Sequence, residues 1–179
     1  MNYSEILKKY SYANYNEITK RINYCDFCNE AENADIINSI VLWKINRQVK
    51  IENSLIIKIK NLQYDKVKFL DKYEAEIREI LKALLEMKGV RIAMASTILK
   101  MFKPFAFPII DQRAYRTIYN NDFPNFFGKD KHVKYIDLYI QYIKDCYKFN
   151  QNNCPNIAFD KIDQLLYQID IENGNKIKN

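Results

Sequence analysis

Two apolar helical stripes separated by one glycine constrain the fold more than any other feature of this sequence. The residues of the first stripe recur every three or four positions: Ile77, Ile80, Leu81, Leu84 and Leu85. The second stripe has the same spacing: Ala95, Ile98, Leu99 and Phe102. Such spacing puts apolar side chains on one helix face. Gly89 lies between the stripes, where a glycine allows a sharp turn after a helix end. The pattern predicts a helix, a tight hairpin and a second helix over about residues 75–103.

Turn residues are scarce in the rest of the chain as well. The 179 residues include three glycines and four prolines, and 48% of the residues are hydrophobic. Sheet-rich folds use more turn residues, whereas helices with short connections use few. We therefore expect an all-α fold and a single domain over residues 1–179.

The first third of the chain gives further helical patterns. Residues 1–24 predict one or two short helices. Residues 35–49 predict a substantially buried helix, with Asn33 or Asp35 as its N-cap. Residues 53–60 alternate in polarity over a short run, and this pattern leaves strand and helix both open.

A lone aspartate follows the hairpin. Pro104 ends the second hairpin helix, and residues 105–110 form an apolar irregular run. Asp111 is then placed to cap a helix that extends through Tyr119, so residues 104–119 form one loop-and-helix region. We expect a loop at 120–132, a helix containing Ile136, Ile140 and Ile143, a polar gap at 150–153 and a final helix with Phe159, Ile162, Leu166 and Ile169.

The charge of the chain favours polyanionic partners. The formal net charge is +6, which suits nucleic acid first and an anionic membrane surface second. The sequence begins without a signal-peptide pattern and has no apolar run long enough to span a membrane. We therefore expect a cytoplasmic protein that does not enter the membrane, with reduced thiols at Cys25, Cys28, Cys146 and Cys154.

The order hairpin, apolar helix, apolar loop, aspartate and helix resembles the helix-hairpin-helix DNA glycosylase superfamily. Met-Lys-Gly-Val at 87–90 looks like the family hairpin, and Ile110-Asp111 looks like its catalytic dipeptide. Arg116 stands where family members often carry an arginine. The resemblance covers about residues 77–119 and implies a two-lobed, all-α fold with a DNA cleft between the lobes. It also implies double-stranded DNA as the partner and a base-excision role, either in DNA repair or in attack on foreign, modified DNA, and we expect a monomer.

The resemblance assigns roles to individual residues. Asp111 would be the carboxylate that stabilises the positive charge developing on the sugar as the glycosidic bond breaks. The hairpin would grip backbone phosphate, with a bound monovalent cation as its only implied cofactor. The backbone-binding residues would be Lys88, Gly89, Val90, Arg91 and Ala93.

Two positions depart from the family pattern. Arg91 stands where the family has a second hairpin glycine, although its side chain could itself contact phosphate. Ala93 stands where bifunctional members carry the lysine that forms a Schiff base. A glycosylase with this sequence would release the base and leave the strand uncut.

The candidates for the base pocket come from two regions. Trp43 and Lys44 lie on an early helix, and Phe107, Gln112 and Arg113 flank Asp111. Core packing is the alternative for Trp43 and Phe107, and phosphate contact or solvent exposure for Gln112 and Arg113.

Metal chemistry has little support in the sequence. Cys25 and Cys28 form half of a zinc signature, but Cys146 and Cys154 do not complete a compact four-cysteine pattern. We therefore expect no zinc or iron–sulfur site. His132 is the only histidine, which argues against histidine-based nucleophilic or metal catalysis.

Two other function classes remain open from the sequence. The chain could be a non-catalytic DNA-binding module in which Asp111 only caps a helix. It could also be a helical protein-interaction domain in which the hairpin is an ordinary turn.

Overall fold

The computed structural model describes residues 2–9, 15–25, 27–45 and 51–176. Within these ranges the chain forms α-helices and two 3-10 turns, with no strand, which confirms the predicted all-α class. The helices are α1 (Tyr3–Lys8), α2 (Tyr15–Tyr24), α3 (Glu30–Ile45), α4 (Asn53–Asn61), α5 (Leu70–Glu86), α6 (Ile92–Phe102), α7 (Gln112–Tyr119), α8 (Lys131–Asn153) and α9 (Ile162–Glu172). The 3-10 turns precede α5 and α9, at Val67–Phe69 and Phe159–Lys161.

Helix α6 lies at the centre of the packing. It contacts α2, α3 and α4 as well as α5 and α8. Every residue from Met94 to Met101 is buried, so the helix has no solvent face over this length. A helix that is buried all round belongs to the interior. The second hairpin helix is therefore a core element, whereas α5 keeps exposed residues such as Lys82.

The carboxyl-terminal helices pack beside this centre. Helix α9 contacts α1, α7 and α8, and α7 also contacts α8. Buried apolar side chains from every helix join in one continuous cluster. The cluster surrounds α6 and the apolar segment that follows it, so residues 106–110 are themselves part of the core.

The predicted start of α3 and its predicted cap are wrong. The helix begins at Glu30, and neither Asn33 nor Asp35 caps it. Asn29 does so instead, because its Oδ1 accepts from the amides of Ala31 and Glu32 at 2.9 and 3.3 Å. Glu30, Ala31 and Glu32 at the start of α3 are exposed and carry no large apolar side chain, so apolar periodicity did not detect them. The predicted end of this helix, at residues 46–49, lies outside the described residues.

The predicted gap at residues 150–153 is also wrong, because α8 continues through Asn153. Asn150 is buried, and its amide group donates to the carbonyls of Cys154 and Ile157 at 3.0 and 2.9 Å. The polar residues therefore hold the helix end instead of interrupting the helix. Helix α8 also begins at Lys131, so the loop before it ends two residues earlier than predicted.

The remaining helices resolve the open points. Residues 53–60, which left strand and helix open, lie in α4. Residues 1–24 contain two helices, with residues 10–14 outside the described part. The first hairpin helix starts at Leu70, before the predicted start near residue 75. Among the helices of the described residues, none has the length and apolar content that crossing a bilayer requires.

Candidate active site

The hairpin, residues 87–91, joins α5 to α6 by an exposed turn. Gly89 has φ of 88°, a left-handed conformation that glycine adopts without steric cost. The amide of Val90 donates to the carbonyl of Met87 at 3.1 Å, and the buried Val90 side chain anchors the turn in the core. The prediction that Gly89 makes the turn is thus confirmed.

The amides at the start of α6 have no side-chain cap. Arg91 is the N-cap residue, and it makes no capping hydrogen bond. An arginine side chain carries donors only, so it cannot accept from these amides. Uncapped amides at a helix start carry partial positive charge and bind anions. The exposed Arg91 guanidinium adds a full positive charge at the same place.

The segment that leads to Asp111, residues 108–110, is held by buried tyrosines on α8. The Tyr139 hydroxyl donates to the carbonyl of Pro108 at 2.9 Å, and the Tyr142 hydroxyl donates to the carbonyl of Ile109 at 3.0 Å. Burial raises the pKa of both phenols well above the ordinary value. Both therefore stay protonated and keep donating.

Buried acceptors hold the amides of the same segment. The amide of Ile109 donates to Oδ2 of Asp163 at 3.2 Å, and that of Ile110 donates to the Ser96 hydroxyl at 3.2 Å. Asp163 also pairs with Lys100 at 2.9 Å, and the Lys100 side chain is completely buried. Side chains of α6, α8 and α9 thus satisfy the backbone groups of a segment that lacks secondary structure.

Asp111 follows this fixed segment as the N-cap of α7, as predicted. Its Oδ1 accepts from the amide of Ala114 at 2.8 Å. Burial raises the pKa of the Asp111 carboxyl above its ordinary value, and the charge of Asp163 acts in the same direction. The charge of Lys44 and the amides of Ala114 and Arg113 act against this rise. Asp111 is therefore a half-buried residue whose carboxyl lies in a setting that disfavours its charge.

One open cavity of about 870 Å³ adjoins both the hairpin and Asp111. Apart from Asp111 and Gln112, its lining residues fall into two groups. We call the first wall the end of α5, the hairpin and the start of α6, and the second wall the loop at 120–130 and the start of α8. Six of the predicted site residues line it: Gly89, Val90, Arg91, Ala93, Asp111 and Gln112. The sequence resemblance had grouped the hairpin with Asp111, and the fold brings the two segments to the same cavity.

The other predicted residues lie elsewhere or at the margin. Lys88 is exposed on the hairpin but is not among the lining residues. Phe107 is fully buried and packs edge-on against Tyr64 with ring centroids 5.1 Å apart, so it is a core residue. Trp43 lines a separate groove with residues of α2. Lys44 does not line the cavity, but its positive charge acts to lower the pKa of the Asp111 carboxyl.

Arg113 points to α9. Its guanidinium contacts the buried carboxylate of Asp170 at 2.9 Å, and Arg116 contacts the same carboxylate at 2.7 Å. Burial alone would raise the pKa of Asp170, but the hydrogen bonds from Arg116, Asn175 and Arg113 lower it overall. These arginines therefore fix α7 against α9, and neither lines the cavity of Asp111.

All four cysteines lie in the described part of the chain and form no disulfide. Cys25, Cys146 and Cys154 are buried, and burial raises the pKa of each of these thiols. Among the described residues, no group of three or more His, Cys, Asp or Glu side chains is placed to hold a metal ion.

Sequence reasoning missed the residues that position Asp111. Lys100 stands in an apolar stretch of α6, and an isolated charge of this kind signals a buried partner. Asp163 gave no such signal, because the charged residues Asp160 and Lys161 precede it closely. Ser96, Tyr139 and Tyr142 gave no comparable signal, because hydroxyl groups are common on helix surfaces. The aromatic residues of the 120–130 loop were also missed.

Comparison of the chain with models of known families, with curated proteins and with solved structures finds no match.

Proposed function

We propose that this chain is a monofunctional DNA glycosylase of the two-lobed helix-hairpin-helix type. It would hydrolyse the N-glycosidic bond of a modified or damaged base in double-stranded DNA. The observation that carries the proposal is that the uncapped hairpin and Asp111 line the same open cavity. The reaction needs a group that binds DNA phosphate and a carboxylate that acts on the sugar, and the hairpin and Asp111 are the candidates for these two roles.

The chemical step is assigned to Asp111. As the bond between C1′ and the base nitrogen breaks, positive charge develops on the sugar, and an ionised carboxylate nearby stabilises it. The same carboxylate orients or deprotonates the water that attacks C1′. The departing base takes up a proton, and the sugar keeps the hydroxyl.

The hairpin is assigned to the DNA backbone. The uncapped amides at the start of α6 and the exposed Arg91 side chain both favour a phosphate. Such contacts position DNA and carry no base specificity. Ala93 lies beside them on the cavity wall and offers no amine for a Schiff base, so the product would be an abasic site in an uncut strand.

Asp111→Asn tests the proposal. Asparagine caps a helix as well as aspartate does, so α7 should persist. Asparagine also removes a carboxylate whose charge the fold disfavours, so the unfolding midpoint at pH 7–8 should not fall. Base release from a duplex panel of uracil, alkylated purines, oxidised bases and hypermodified pyrimidines should fall by about 10²–10³. Unchanged release from a folded variant would remove Asp111 from the chemistry.

The pH profile provides a second readout of the same carboxyl. The folded-state pKa of Asp111 is raised, so the carboxyl takes up a proton at higher pH than an ordinary aspartate does. Base release should therefore fall as the pH drops through this raised pKa, with an acid limb above the ordinary value of 3.8. The limb should vanish from the residual rate of Asp111→Asn.

The alternative is a non-catalytic DNA-binding module, which one observation favours. Asp111 already caps α7, because its Oδ1 accepts from the amide of Ala114, and this bond gives the residue a structural role that needs no chemistry. In this case the protein should bind duplex DNA with an affinity that falls steeply with salt, and should release no base from the panel.

A further inference from the structure

The loop at 120–130 forms the second wall of the cavity and is anchored at both of its ends. Asn120 adopts a left-handed conformation that ends α7, with φ of 50°. The ring of Phe123 packs edge-on against Tyr115 at 5.1 Å between centroids. Farther along, the ring of Phe126 packs against Tyr135 at 4.8 Å, and its amide donates to the Tyr135 hydroxyl at 3.1 Å.

Phe127 differs from its two aromatic neighbours. It keeps 78% of its surface exposed, and it lines the same cavity as Asp111. Gly128 follows with φ of 86°, so the chain turns back directly after the aromatic residue. Because Phe126 is fixed on one side and the turn on the other, the loop holds a large apolar ring in solvent beside the cavity.

The charges around the cavity suit a phosphodiester chain with one base turned inward. Arg91 lines the first wall and Lys131 the second, and exposed Lys88 and Lys129 lie nearby in the chain. The acidic lining residues are Glu86 and Asp111, and the exposed Asp130 lies between Lys129 and Lys131 in the chain. Cations and an exposed aromatic ring on one cavity form a combination that binds unpaired nucleotides, through backbone charge and base stacking.

We infer that Phe127 stacks on a DNA base that has left the duplex and entered the cavity. The inference rests on the proposed function and assigns its substrate form: an unpaired nucleotide, with the base on Phe127 and the flanking phosphates near Arg91 and Lys131. Every base has a π-face, so this contact holds the extruded base without selecting its identity.

Three duplexes test the inference by equilibrium binding: one fully paired, one with a single bulged adenine, and one with a tetrahydrofuran abasic analogue at the bulge. Wild type should prefer the bulged adenine to the bulged analogue. Phe127→Ala should abolish this preference and weaken binding of the bulged adenine by about 5- to 100-fold. Phe127→Trp should retain the preference. The matched control is Tyr24→Ala, since Tyr24 is 89% exposed and does not line the cavity.

Each contrary result has a definite meaning. If Phe127→Ala weakens binding of both bulged duplexes equally, stacking on the base is overturned. The ring would then be filling the gap in the DNA duplex and would not be contacting the bulged base. No loss on any duplex would overturn a DNA role for Phe127. If wild type shows the adenine preference but releases no modified base, the inference stands and the glycosylase proposal fails. If base release depends on Asp111 and Phe127→Ala changes nothing, only the inference fails.

Discussion

The segment that leads to Asp111 and the hairpin are held in different ways. Residues 108–110 lie in the core, where Ser96, Tyr139, Tyr142 and Asp163 bond their backbone groups. The hairpin lies at the surface, anchored by Val90, and leaves the first amides of α6 uncapped.

This difference suits the two proposed tasks. A carboxylate that acts on a reacting carbon must be held to within about 0.5 Å, which requires supporting contacts behind it. A phosphate grip needs exposed donors, and any side chain that capped them would compete with the ligand. The comparison predicts that substitutions behind Asp111 act on stability and positioning, whereas substitutions of exposed hairpin side chains act on DNA affinity alone.

The largest effect should come from Lys100→Met. Lys100 is completely buried against Asp163, so its removal leaves a buried carboxylate without its cation. Breaking a buried ion pair in this way costs about 3–5 kcal/mol. The free energy of unfolding, measured by urea denaturation, should fall by this amount.

The double variant Lys100→Met with Asp163→Asn provides the control. It removes both charges, and the asparagine oxygen can still accept from the Ile109 amide, so much of the stability should return. If the single and double variants are equally unstable, loss of lysine packing causes the effect, and the charge pair does not.

A smaller effect is expected for Tyr142→Phe. This change leaves the buried carbonyl of Ile109 without its donor, which costs about 1–3 kcal/mol. The matched variant Tyr147→Phe changes a tyrosine on the same helix that is 38% exposed, and it should leave stability nearly unchanged. Equal unfolding midpoints for wild type and Tyr142→Phe would mean that the 108–110 segment does not depend on this donor.

Arg91→Ala should have the smallest effect on the fold, since Arg91 is exposed. The unfolding midpoint should stay unchanged, whereas DNA affinity should fall by a similar factor on every sequence. The slope of log affinity against log salt should decrease by about one, because one phosphate contact is lost.

Lys82→Ala is the control for this measurement, because Lys82 is an exposed cation on α5 that does not line the cavity. If Arg91→Ala and Lys82→Ala change the salt slope by the same amount, Arg91 contributes only general positive charge, and a specific phosphate contact at the hairpin is excluded.

Sequence patterns predicted the helices that carry a regular apolar stripe, and the turn and cap that depend on nearby residues. Apolar spacing located α5 and α6, Gly89 marked the turn, and Asp111 marked the start of α7. Periodicity failed where polar residues form a helix end, as at Asn29 and Asn150. Each of these asparagines forms hydrogen bonds with backbone atoms at a helix end. In the sequence, an asparagine with this role looks the same as an asparagine in a loop.

The sequence by itself determined the all-α class, the hairpin and the capping role of Asp111, because these depend on neighbours within a few positions along the chain. Only the tertiary structure decided which side chains support Asp111 and what lies opposite it. Lys100 and Asp163 meet from α6 and α9, and Phe127 shares a cavity with Arg91, although each pair is far apart in the chain. Such pairings depend on how the helices pack, and a single helix pattern carries no information about its partner.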